Sequence, residues 1–331
     1  MRRRDFITLA GGTAAAWPLA ALAQKDASLP LVAVLVPGTE ESNPQRMAAL
    51  RAGLKEAGLV EGSHYVLAIR YGNGVFSLLP QLVKELNALK PRVVVASANA
   101  VSVVHQLIPE APLVFTGFAA DPIRLGLVQS YTRPGGIATG NVMNAIGGEE
   151  SLTEKRVGFF REMVPNLKRL GMIGVANGAL SADEEKALRG ESASFGFEFA
   201  RYTIQSLDDL DGAFSTALRD SVDAFYISGE PLLFTNLKRV MALVAASGKP
   251  SFGVYPEWGR AGLLLSYSSD ITDGFRHAGI YAGKIIQGMK PADLPVEQAS
   301  KFTLVVNAGI AKQLGINVPA TLLALADEVI E

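Results

Sequence analysis

The residues best equipped for chemistry stand just after runs of apolar and β-branched residues, where a strand would hand the chain on to a helix. In open α/β sheets, this is where ligands bind. The first half offers Thr39, then Ser97, Ala98 and Asn99, then Phe118, Ala119 and Asp121. The second half offers Asn177, the run Ser228-Gly229-Glu230, and Tyr255, and Tyr267 ends a later apolar run. These types suit non-covalent capture of a zwitterion. A carboxylate needs hydroxyl and N–H donors, best supplied at a helix N-terminus. Ser97 lies between RVVVA and a helix that begins near Ala100, so it offers both. The same position suits a plain N-cap serine. An ammonium needs an acid, and Glu230 supplies one. It could equally compensate the dipole of the following helix or be a solvated surface acid. Asp121, ahead of Pro122, reads at least as well as an N-cap. Phe118, Tyr255 and Tyr267 present ring faces for a ring-bearing ligand, although such aromatics more often belong to a core.

Catalysis finds no purchase. The sequence has no GxSxG elbow, P-loop or GxGxxG fingerprint. His64, His105 and His277 are scattered, without HExxH or paired metal-ligand spacing. No nucleophile–base pair can be named, so no catalytic residue, metal site or cofactor is expected. Acids such as Glu230 and Asp121 leave a hydrolase built on two carboxylates as a weaker alternative.

The elements that must position these residues alternate regularly. LVAVLV (Leu31 to Val36) is a continuous apolar run ended by Pro37-Gly38, as expected of a strand covered on both faces of a parallel sheet. Met47, Leu50 and Leu54 then mark a helical face. Further strands read at 65–71, 92–96, 112–116 and 137–142, with a helical stretch at 121–131. After Arg133-Pro134-Gly135-Gly136 the alternation restarts, with strands at 169–176, 197–204, 224–228 and 250–254. Two βα series predict two doubly wound α/β domains. The tail adds a strand at 263–267, a long helix at 271–288, a strand at 302–306 and a short helix at 310–314. These extras fit if the chain crosses between domains three times. The expected fold is therefore α/β, two doubly wound parallel-sheet lobes joined by a three-segment hinge. One lobe would comprise 30–141 plus 267–300, the other 142–266 plus 301–331, with hinges near Asn141, Tyr267 and Ser300 to Phe302.

Residues 1–23 read as an export signal. Arg2-Arg3-Arg4 is a positive n-region, an apolar stretch broken by Gly11, Gly12 and Pro18 follows, and Ala21-Leu22-Ala23 supplies a cleavage site before Gln24. Arg3-Arg4-Asp5-Phe6-Ile7 also fits the twin-arginine pattern of bacterial export. The mature chain is then expected in the periplasm, not embedded in the membrane. Its formal net charge of −1 gives no basic face for nucleic acid. The absence of cysteine removes disulfides and thiolate chemistry. With 49% hydrophobic residues the chain can bury substantial cores.

Four stretches carry a resemblance: GLKEAGLVEG, PLVFTGFAADPIRLGLV, RPGGIATG, and the region from Gly262 to Glu331 with GLLLSYSSDITDGFRHAGIYAGKIIQG and KPADLPVEQASKFTLVVN. Together they resemble the type I periplasmic binding proteins. The nearest branch is the ABC-transporter substrate-binding family that includes tryptophan and tyrosine binders. The resemblance implies a bilobed monomer without enzymatic activity. It would close over a small carboxylate-bearing ligand, an apolar or aromatic amino acid, and deliver it to an ABC permease in the inner membrane. Family members often carry Asp where this chain has Glu230. A periplasmic sensor that presents its bound form to a membrane receptor would share these features and is the main alternative. A regulator of the same fold would need a helix-turn-helix where the export signal stands.

Overall fold

The computed structural model describes residues 29–143 and 148–331, so the expected export signal and its cleavage point lie outside the described residues. In chain order the first elements are β1 (Leu31–Val36), α1 (Pro44–Glu56), β2 (Val66–Tyr71), α2 (Leu79–Ala88), β3 (Val93–Ser97), α3 (Ala100–Leu107), β4 (Leu113–Phe118) and β5 (Ala138–Val142). There follow α4 (Gly148–Met163), β6 (Arg169–Val175), α5 (Ala179–Phe195), β7 (Glu198–Ile204), α6 (Leu210–Arg219), β8 (Ala224–Ile227), α7 (Pro231–Thr235), α8 (Leu237–Ser247), β9 (Ser251–Gly253), α9 (Pro256–Ala261) and β10 (Leu265–Ser269). The chain ends with α10 (Ile271–Ile286), β11 (Glu297–Gln298), β12 (Phe302–Asn307), α11 (Ala308–Gln313), α12 (Ala320–Leu325) and β13 (Glu328–Ile330).

The strands form two sheets. The first has the order β11-β5-β4-β3-β1-β2 and the second β13-β12-β10-β9-β8-β6-β7. Every pairing is parallel except that of β10 with β12. Each sheet reverses its order once, between β1 and β3 in the first and between β6 and β8 in the second. Such switch points open a crevice beyond the carboxyl ends of the strands. This is the expected pair of doubly wound α/β lobes.

β1 shows why its sequence is unbroken in hydrophobicity. Side chains alternate across a strand, and both sides are covered. Ala33 and Leu35 pack with Val83 and Leu86 of α2 and Val101 of α3. Val32, Val34 and Val36 pack with Met47, Leu50 and Leu54 of α1 and Phe275 and Ala278 of α10. Each large side chain buried this way contributes roughly 1.5–3 kcal/mol. The other lobe has one continuous core, in which Phe160 of α4 stacks on Phe252 of β9 with ring centroids 4.2 Å apart.

The chain passes between sheets after β5, returns between β10 and α10, and passes again between β11 and β12. α10 therefore lies against α1 of the first lobe although its sequence follows a strand of the second. The two helices meet at glycines. A Cβ on Gly53 would stand 1.8 Å from the Arg276 carbonyl oxygen, and one on Gly279 2.2 Å from that of Leu50. Asn141 ties a crossing to this helix by donating to the Gly274 carbonyl at 2.8 Å, and Thr116 donates to its Oδ1 at 3.0 Å. Tyr267 lies within β10, two residues before the crossing that begins after Ser269.

Some local expectations are corrected. Residues 121–131 form turns rather than a helix, because Gly126 at φ 70° ends a single turn in which Leu127 N–H reaches the Pro122 carbonyl. Between β8 and β9 the chain is helical on both sides of Asn236, which separates α7 from α8. The short elements α9, β11, α12 and β13 carried too few residues for a periodic signal.

Candidate ligand-binding cleft

Between the lobes, the carboxyl ends of both sheets wall one recess. From the first lobe it is lined by Val36, Pro37 and Gly38 after β1, Ser97 and Ala98 after β3, Gly117 of β4, and Arg46. From the second come Pro231, Phe234 and Tyr255, while Met143, Ile271 and Phe275 close the side toward the crossings. A neighbouring cavity of about 260 Å³ lies among the three crossings and shares Gly117, Met143 and Ile271 as lining.

The turn after β3 is conformationally unusual. Ala98 has φ 48°, a left-handed conformation costing a non-glycine residue roughly 1–2 kcal/mol. Such strain persists where surroundings impose it and gathers at functional sites. The turn leaves Ser97 only 5% exposed, and its hydroxyl bonds no other described residue. Asn99 is the N-cap residue of α3 but makes no capping bond with its side chain, and its Oδ1 is buried without a partner among the described residues. Gly117, at φ 55°, sits where the β4–β5 register shifts. This irregularity directs Phe118 into the first lobe's core against Phe115, with centroids 5.7 Å apart.

Arg46, in the first turn of α1, was not among the residues singled out by sequence. Its guanidinium lies over the Phe234 ring at 4.4 Å and within 5.6 Å of the Tyr255 centroid, both in the second lobe. Nη1 donates to Asn43 Oδ1 at 3.1 Å. Nη2 is buried without a hydrogen-bond partner among the described residues, and Glu257 of α9 is 3.7 Å away. Among the described residues lining the recess, Arg46 alone carries a charge. The rule that points to strand ends would have found it had the first helical turn been included.

The second lobe's wall rests on a buried polar network. Glu184 of α5 accepts from Tyr226 Oη at 3.0 Å, Ser228 Oγ at 2.5 Å and Gly229 N–H at 3.0 Å. Burial, reinforced by the Glu149 charge, pushes its carboxyl up to about 8, against the pull of the Ser228 and Gly229 hydrogen bonds and Arg156. Arg156, also buried, donates to Tyr226 Oη at 3.2 Å, to the Tyr267 carbonyl at 2.7 Å, and to Glu149. Tyr255 Oη donates to the Gly229 carbonyl at 2.6 Å, and burial raises its hydroxyl above the ordinary tyrosine range.

Glu230 is turned toward α5. Its Oε1 accepts from Ser181 N–H at 2.9 Å, and a Cβ on Gly178 would meet that oxygen at 2.1 Å. Burial raises its carboxyl, while the Ser181 and Leu180 N–H groups oppose the rise. The helix it serves is α5, not the α7 that follows it. The remaining residues scatter. Thr39 shapes the β1–α1 loop through Ser42 at 3.1 Å, and half-buried Ala119 follows β4. Asp121 is exposed and caps its own turn at Ile123 N–H, 2.9 Å away. Asn177 is exposed, whereas Ser228 and Gly229 are buried beneath the wall. Tyr267 packs between Phe159 and Phe302 in the second lobe's core. The structure thus brings Ser97, Ala98 and Tyr255 to the recess and adds Arg46, Phe234 and Met143. No cluster of three or more potential metal ligands occurs among the described residues.

Residues 31–330 match the family model of the ABC transporter substrate-binding proteins. The chain belongs to that family. It is thus a substrate-binding protein, not an enzyme. Families of this kind act outside the cytoplasm, and no helix among the described residues is long and apolar enough to cross a membrane. A curated relative, the tyrosine-binding protein of Clostridioides difficile (strain R20291), is 20% identical over 66% of this chain. That match spans 61% of the relative's length. Among solved structures, an ABC domain from Streptococcus pneumoniae in complex with L-Trp is 23% identical and superposes with a TM-score of 0.78, covering 92% of this chain and 100% of that one. A conserved domain protein from Vibrio cholerae is also 23% identical, with a TM-score of 0.82 over 91% and 99% of the two chains. Both share the fold.

Proposed function

We propose that this chain is the solute-binding component of an ABC importer. It closes over a small carboxylate-bearing ligand, an amino acid with an apolar or aromatic side chain, and delivers it to a permease in the inner membrane. The observation that carries this reading is the recess itself. The carboxyl ends of two parallel sheets face each other across it, aromatic rings form one wall, and the chain links the sheets through three crossings. The tyrosine named for one relative and the L-Trp bound to one structural neighbour support a ring-bearing amino acid.

The signal-like residues 1–23, with their twin-arginine pattern and the Ala21-Leu22-Ala23 cleavage site, support export to the periplasm and release of a mature monomer beginning at Gln24. The two lobes, with the expected boundary at 267 moved to the end of β10 and that at 141 to the end of β5, are 30–142 plus 270–300 and 143–269 plus 301–331, and would rotate about the crossings near Asn141, Ser269 to Asp270, and Ser300 to Phe302. Short segments of this kind absorb the backbone change in hinge closure.

The test is a thermal-shift screen of residues 24–331 against amino acids, aromatic acids, sugars and nucleosides. A ligand at 100 times its dissociation constant stabilises the folded state by about 2.7 kcal/mol. A selective rise with tryptophan, tyrosine or phenylalanine is expected. A flat response to every amino acid, beside a clear shift with a sugar or nucleoside, rejects the amino-acid assignment.

A further inference from the structure

Building on that functional reading, we propose that Arg46 is the carboxylate anchor of the cleft and the latch that couples binding to lobe closure, exchanging Glu257 for the carboxylate of the ligand. The side chain belongs to the first lobe, at the start of α1, yet its guanidinium is seated on Phe234 and Tyr255 of the second. One side chain thus reaches across the cleft. A guanidinium packed on ring faces keeps its N–H donors available at its edge, because the attraction to the rings uses its face.

Those donors are under-used. Nη1 is held by Asn43 Oδ1, but Nη2 is buried with no acceptor in hydrogen-bonding range among the described residues. A buried charged donor left unpaired is costly, so the site is complete only when an acceptor arrives. Glu257 provides partial charge balance. At 3.7 Å from Nη2 it is too distant for a hydrogen bond, and its side chain remains 32% exposed. A carboxylate inside the recess would pair with the planar guanidinium fork at closer range, in the geometry that makes Arg–carboxylate pairs strong. Ser97, whose hydroxyl bonds no other described residue, lines the same recess and supplies a second donor.

The charge pattern selects the sign of the ligand. Arg46 is the one charged residue among the described residues lining the recess, and Glu230 has its Oε1 on α5. The recess therefore recognises the anionic end of an amino acid and relies on no lining acid for the ammonium. Because the seat of the guanidinium lies on the opposite lobe, a ligand bound to Arg46 favours the closed arrangement through its differential affinity for that state.

The experiment is calorimetric titration of the protein with L-tryptophan, with indole-3-propionate, which keeps the carboxylate and lacks the ammonium, and with tryptamine, which does the reverse. Wild type is expected to bind the first two and not tryptamine. Arg46→Gln should weaken both carboxylates by roughly 30- to 1000-fold, as expected for losing one partner of a buried charge pair. Arg46→Lys should recover only part of this, since an ammonium restores charge but not the fork. Glu257→Gln should tighten both by roughly two- to fivefold, the scale of a partly exposed ion pair. Small-angle scattering at saturating L-tryptophan should show compaction in wild type that is lost in Arg46→Gln. An Arg46→Gln protein with wild-type melting temperature and unchanged affinity for both carboxylates overturns the proposal, as does wild-type binding of tryptamine as tight as that of indole-3-propionate. Wild type that binds none of the three refutes the ring-bearing amino-acid reading first, and the anchor falls with it.

Discussion

Gly229, two residues past the end of β8, donates its N–H to Glu184 Oε1 at 3.0 Å, so a buried acid on α5 holds the second lobe's cleft loop from beneath. The same carboxylate receives Ser228 Oγ and Tyr226 Oη. Truncating it leaves Gly229 N–H and Tyr226 Oη buried without that acceptor, while Ser228 Oγ can still donate to Ser181 Oγ at 2.7 Å. Glu184→Ala should therefore destabilise the protein by about 2–5 kcal/mol, at roughly 1–3 kcal/mol for each buried donor left unsatisfied. Urea unfolding measures this directly, and a loss below about 1 kcal/mol would show that the network is not needed to hold the loop.

The same acid gives stability a pH dependence. Its carboxyl, near 8 in the folded protein against 4.5 for an unperturbed group, holds a proton that the unfolded chain releases between those values. Glu149, Arg156 and Tyr226 are the ionisable groups acting on it. Its contribution is fully present below about pH 4.5 and is lost as the pH rises through about 8. Between pH 5 and 8.5 wild type should lose stability relative to Glu184→Gln, by at most about 1.4 kcal/mol per pH unit for one proton. Parallel unfolding curves for the two proteins across that range would contradict it.

Gly279 and Gly53 let α10 lie on α1 at backbone contact. In an isolated helix, glycine to alanine would be favourable by about 1 kcal/mol. Here the added methyl must push two helices apart, and Gly279→Ala should instead cost about 2–3 kcal/mol, in the upper range of overpacking. A raised melting temperature would show that the α1–α10 contact yields freely.

Glu230 is positioned to act on α5 more than on a ligand. Glu230→Gln keeps an acceptor for Ser181 N–H but removes the charge at the helix N-terminus. Stability should fall by about 0.5–2 kcal/mol, with ligand affinity changed less than threefold in calorimetric titration. A large loss of affinity with stability intact would return this residue to direct contact with the ligand.

Much of the architecture was legible in the chain itself. LVAVLV reads as a strand covered on both sides and RVVVA as a further strand, and the surplus elements after Tyr255 fit a chain that returns to its first lobe. Those inferences rest on local periodicity, which depends on a residue and its near neighbours. They also located Ser97 and Ala98, because a strand end in a doubly wound sheet is fixed by the strand. The roles of Arg46, Glu230 and Tyr267 were decided elsewhere. Arg46 becomes the cation lining a recess only once Phe234 and Tyr255, about two hundred residues later, come to lie beneath it. Glu230 finds its donors on α5, forty-nine positions earlier in the chain. Tyr267 enters a core because Phe302 is brought beside it by the antiparallel pairing of β10 with β12. A side chain's chemistry is written in its type, but whether its charge is spent or left available depends on which distant groups the packing of two lobes brings within a hydrogen bond's reach.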